Sequence, residues 1–172
     1  MIRASLLLPL SMMPGLFLVQ ADDADVKRVV KAKAEKINDA FLKGDYAAVV
    51  AGTYPRIVEQ LGGREEAARV FKAARDEYQQ KGLELKAVTT GEPSRPIKGG
   101  RDLFVVVPIS SKLISRQGKV LTESSMLAIS PDDGKTWTFL HVPADTERLR
   151  RSLPQLPREI TFPKQETKVV PE

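Results

Sequence analysis

The chain has 172 residues, with 27 Lys and Arg against 22 Asp and Glu, one histidine and no cysteine. That length suits one domain with a processed end and is enough for a single hydrophobic core. Disulfide stabilisation is excluded, and one histidine without cysteine cannot supply the usual nitrogen and sulfur ligands of zinc, so neither a metal nor a cofactor is expected.

Residues 1–21 read as a secretory signal. Arg3 gives a positive start, Leu6 to Leu18 is apolar but broken by Pro9, Pro14 and Gly15, and Val19-Gln20-Ala21 fits the small-residue cleavage rule. The apolar run falls short of the ~20 residues that a spanning helix needs. Cleavage after Ala21 would leave 26 basic and 22 acidic side chains, net +4. A periplasmic or secreted protein is therefore expected, without an integral membrane segment after cleavage. Its mild positive charge is ordinary for solubility, and without interleaved aromatic and basic residues it does not suit nucleic acid.

Helices come next. From Asp25 to Lys43, Val26, Val30, Ile37 and Ala40/Phe41 fall near the three-and-four step of a buried stripe, with Asp22, Asp23 and Asp25 at the positive end and Gly44 as the stop. Asp45 suits the cap of a second helix, Tyr46 to Ala51. Pro55 to Leu61 reads as a short helix, proline first and Gly62 after it, with an extended reading through Arg56-Ile57-Val58 as the alternative. Arg64 to Lys81 is a longer helix whose stripe is Ala67, Phe71, Ala74 and Tyr78, widened by Val70 and ended by Gly82.

Four strands follow: Leu83 to Thr89, Leu103 to Ser115, Val120 to Ser130 and Thr136 to Val142, the last two pairs joined by turns at Arg116-Gln117-Gly118 and Asp133-Gly134. Gly91 to Gly100 reads as a connection. After Pro143 the character changes. Asp145 to Leu153 suits a short basic helix, prolines at 154, 157 and 163 suit an extended arm, and Gln165 to Glu172 reads as disordered. The expected organisation is a signal (1–21), a folded domain (22–143) and a C-terminal basic helix with an extended or disordered arm (144–172). Helices followed by a strand meander imply an α+β fold, with N-terminal helices packed on a curved antiparallel sheet.

This order, with Ala40-Phe41-Leu42-Lys43-Gly44-Asp45, Gly62-Gly63-Arg64-Glu65 and Asp133-Gly134-Lys135-Thr136-Trp137-Thr138-Phe139, resembles the nuclear transport factor 2-like superfamily over about Asp25 to Val142. Thr53-Tyr54-Pro55, Gly91-Glu92-Pro93 and Val107-Pro108 are similar to marks of an uncharacterised exported branch. The resemblance implies a cone whose pocket lies between curved sheet and helices, in a superfamily of isomerases, dehydratases, cyclases and members without chemistry. The short strand pair usual between the second and third helices is compressed or missing here. Separately, Ser130-Pro131-Asp132-Asp133-Gly134-Lys135-Thr136-Trp137 is similar to the Asp-box of sialidase-like propellers, in which the motif shapes a hairpin. One copy on a chain this short argues against a propeller.

His141 is the one histidine, placed by alternation on the face of Trp137 and Phe139. With Tyr54, Tyr78, Trp137 and Phe139 it completes the candidate pocket residues. No catalytic group is assigned, because no matched pair of carboxylates or histidine–carboxylate couple is visible. The basic run Arg148, Arg150, Arg151 and Arg158 reads as a solvated helix face. The expectation is a non-enzymatic exported domain binding a small molecule or a protein segment. A small isomerase- or dehydratase-type enzyme using His141 or a carboxylate is one alternative, and a homodimeric envelope scaffold is the other.

Overall fold

The structure, a computed structural model, describes residues 22–116 and 118–170; the expected signal lies outside them. Helix α1 spans Asp23–Lys43, α2 Tyr46–Gly52, α3 Pro55–Gln60 and α4 Arg64–Gln80. Asp22 caps α1 by accepting from the Ala24 amide at 3.4 Å, and Asp45 caps α2 by accepting from Ala48 at 3.0 Å. Pro55 opens α3, and the Tyr54 carbonyl accepts from the Ile57 and Val58 amides, so the helical reading of this stretch holds. Arg75 of α4 donates to the Phe41 and Leu42 carbonyls at 2.9 and 2.6 Å, satisfying the exposed end of α1.

The apolar stripe expected on α4 is present but little covered. Only Ala67 is buried, Phe71 is half-buried, Ala74 is exposed, and Val70 and Tyr78 are 39% and 40% exposed. Helix α1 lies on the sheet, whereas α4 stacks mainly on α2 in a second layer. A narrow contact suffices there, and the rest of its apolar stripe meets solvent.

The sheet is antiparallel and curled, with six strands among the described residues instead of four. They are β1 (Glu84–Thr90), β2 (Ile97–Gly99), β3 (Asp102–Ser115), β4 (Gly118–Ser130), β5 (Thr138–His141) and, after helix α5 (Thr146–Ser152), β6 (Glu166–Val170). Long β3 and β4 pair along their whole length, from Leu103 opposite Ser130 to Ser115 opposite Gly118. Each outer lane is one interrupted strand. Along β3, β1 pairs with Ile109–Ile114 and β2 with Asp102–Phe104; between them the Gly91 and Ser94 amides donate to the Pro108 and Val106 carbonyls. Along β4, β5 pairs with Met126–Ile129 and β6 with Lys119–Glu123, in the same direction. The Val142 amide donates to Ser125, and Gln165 Nε2 donates to the Val142 carbonyl at 2.7 Å, joining the two pieces.

The chain between those pieces, 143–165, is a strap across the sheet's second face. On the first face Val105, Val107, Ile109, Met126, Ala128, Trp137 and Phe139 pack with Val26, Val30 and Ala34 of α1. On the second, Phe104, Val106, Leu127, Ile129, Leu140 and Val142 pack with Leu149, Leu153, Leu156 and Ile160. Burying each such strap side chain stabilises by roughly 1.5–3 kcal/mol. Where an extended or disordered arm was expected, Glu166–Val170 forms a strand. Residues 144–170 supply one side of a second core and a sixth strand, because strands buried on both faces need cover on both. Arg150 is corrected too. It is no solvated helix charge, but donates to the Pro157 and Ile160 carbonyls at 3.1 and 2.5 Å and lies over the Phe162 ring.

Candidate functional site

The Ser130–Trp137 segment is a closed hydrogen-bond system. Asp132 accepts from the Thr136 amide (2.8 Å) and hydroxyl (2.7 Å) and from the Ser130 hydroxyl (2.8 Å), while the Gly134 amide donates to Ser130 Oγ at 2.8 Å. The turn needs left-handed backbone at Asp133 (φ 54°) and Gly134 (φ 91°), hence the short Asp and the glycine. The Thr136 amide and hydroxyl hold the Asp132 carboxyl at about 2, below its ordinary 3.8. Trp137 Nε1 donates to the Gly134 carbonyl at 3.0 Å, and the ring is buried in the first core. The Ser130, Asp132 and Thr136 side chains and the Trp137 indole N–H are thus all used in shaping the turn, while the Asp133 carboxylate reaches outside it to Lys98 at 3.0 Å.

The five sequence-selected residues do not converge on one cavity. Trp137 and Phe139 are core residues beneath α1. Tyr54 packs against the second core, and its amide donates to the Phe139 carbonyl at 2.8 Å, covering the outer side of β5. Tyr78 is on the outer helical layer. His141 lies opposite Met126 on the helix side of the sheet, as alternation implies, but at its edge and exposed. Neighbouring protein nevertheless strips enough water from the ring to push its pKa below the ordinary 6.5, against a backbone hydrogen bond at Val142. Among the described residues no carboxylate or tyrosine is hydrogen-bonded to it.

Two open clefts lie elsewhere. One, of about 610 Å³, runs beside the start of α1 between Asp22, Asp23, Lys27, Arg28, Lys31 and Glu92; Lys31 and Glu92 pair across it at 3.4 Å. The other, of about 300 Å³, lies between Ser94, Val106 and Pro108 and the strap residues Thr161, Phe162 and Pro163. No group of three His, Asp or Glu side chains suited to a metal ion occurs among the described residues, and no helix there is long and apolar enough to cross a membrane.

The remaining feature is an edge that sequence reading missed. Val169 and Val170 of β6 are 62% and 44% exposed, the most exposed large apolar residues described. The inner side of β6 pairs with β4, and no described strand pairs with its outer side. The opposite edge, β1, is interrupted by a bulge between Leu85 and Ala87 and lies against α1, both devices that blunt an edge; β6 has neither. The β-branched Thr167, Val169 and Val170 were the available signal, hidden by flanking charge and Pro163 and Pro171. No protein-family model, curated protein or solved structure matches the chain.

Proposed function

We propose that this is an exported, non-enzymatic binding module of the nuclear transport factor 2-like cone type, and that it takes up an extended protein segment as an added strand on β6. The α+β architecture, with helices on one face of a curled antiparallel sheet, supports the cone. The charged start, interrupted apolar run and Val19-Gln20-Ala21 support export. The observation that carries the binding mode is the outer edge of β6, unpaired among the described strands and bearing exposed Val169 and Val170. Unpaired amides and carbonyls give such an edge its affinity, and alternate side chains give it selectivity.

Selecting displayed peptides against the purified protein, followed by amide hydrogen exchange of the complex, tests this. Binders should be extended segments that slow exchange in Glu166–Val170. Failure of the monomeric protein to select any, or protection confined to the α1 cleft, overturns the proposal.

A further inference from the structure

The register of the sheet specifies what charge pattern a strand added to β6 must carry. Glu166 and Lys168 point to the strap side, opposite Glu123 and Leu121 of β4, while Thr167 and Val169 point to the helix side, opposite Thr122 and Val120. Glu123 and Glu166 are therefore like charges directly opposite one another, a destabilising pairing. Lys168 answers only part of it, at 3.3 Å from Glu166. An incoming strand is favoured if it places a cation opposite Glu166, an anion opposite Lys168 and a β-branched residue opposite Thr167.

We infer that this strand is β6 of a second copy, paired antiparallel about a two-fold axis at Thr167, so that two sheets join edge to edge. The inference rests on the edge-binding reading above and names its occupant. In this register Glu166 of each copy faces Lys168 of the other and Thr167 faces Thr167. The stems of Lys164 and Gln165 lie beside Val170 and Val169 of the other copy. Pro163, which lacks an amide, falls outside the paired residues 164–170 rather than inside the ladder. Charge rejects the neighbouring alternatives. Centring on Lys168 sets lysine against lysine, and centring on Glu166 sets glutamate against glutamate and Lys164 against Lys168. Shifts by a single residue oppose helix-side to strap-side positions and invert one sheet relative to the other. The contact is isologous and closes at two copies.

The test is the mass of the purified protein by sedimentation across micromolar to sub-millimolar concentration, with circular dichroism confirming the fold of each variant. The unmodified protein should sediment at twice the chain mass. Glu166→Lys or Lys168→Glu alone sets like charges across the two-fold axis and should halve the mass. The double swap, Glu166→Lys with Lys168→Glu, restores opposite charges and should restore the dimer. A folded double variant that stays monomeric overturns the inference, as does a dimer indifferent to both single changes. A monomeric protein whose β6 still captures a selected peptide also overturns it, leaving the edge-binding reading intact. A monomer that captures none removes both.

Discussion

Asp132, His141 and Glu77, whose carboxyl the Lys81 ammonium pulls down, are the described side chains through which acid should reach this fold. Thr136 and Ser130 hold Asp132 at about 2 instead of 3.8, so the folded chain takes up its proton later than the unfolded chain does. The stabilisation is present above 3.8 and is lost as pH falls from there towards 2. His141 is also pushed down, by desolvation, so folding resists its protonation and stability starts to fall as pH drops below 6.5. Denaturant midpoints followed from neutral to strongly acidic solution should decline in two stages. Asp132→Ala should lower the neutral midpoint and shrink the acid stage, leaving the part due to Glu77, whereas His141→Gln should remove only the earlier one. A profile unchanged by Asp132→Ala would show that the turn does not depend on that carboxylate. The Asp132 turn was legible in sequence because its partners lie within a few residues of it, so local chemistry suffices. The face of His141 was legible by alternation. That no described carboxylate is bonded to it is a matter of which chain passes by, which no local pattern reports.

Among elements, the strap depends on close approach to β2. A side chain at Gly99 would meet the Gln155 carbonyl and come within 2.7 Å of Pro157 Cδ, so backbone and ring, which cannot swing aside, fill that space. Gly99→Ala should destabilise by about 1–3 kcal/mol, the usual cost of overpacking. Limited proteolysis should show faster cutting within 154–161, with the helical half unaffected. Equal cutting in the parent and variant would mean that the strap adjusts freely. The helices and the β3–β4 hairpin were read from sequence nearly to their ends, because their periodicity runs over many residues. Strands β2 and β6 were not. Three and five residues, rich in glycine or charge, become strands because β3 and β4 present unpaired backbone beside them. The apolar stripe of α4 was legible but how little of it is covered was not, since periodicity shows a face without naming its neighbour.

At the scale of the molecule, the sheet has two cores, and residues of 149–160 close the second. A chain ending at Pro143 would uncover Phe104, Val106, Leu127, Ile129 and Leu140 and would lose β6. It is expected to aggregate or to lose cooperative unfolding, measurable by light scattering and thermal melts beside the longer chain. A soluble, cooperatively melting product would show that the first core suffices alone. Helical periodicity, capping aspartates, β-rich runs and the turn at Asp132 determined by themselves an α+β chain with helices before strands, since each is an interaction among near neighbours. Only the tertiary structure decided that Leu149, Leu153, Leu156 and Ile160 close a second face, that β6 continues the lane begun by β5, and that Val169 and Val170 lie on an edge no described strand pairs with. The reason is physical. A sheet's two faces and its edges are satisfied by segments distant along the chain, and the free energy of covering them depends on which segment arrives, not on the local pattern of the one that waits.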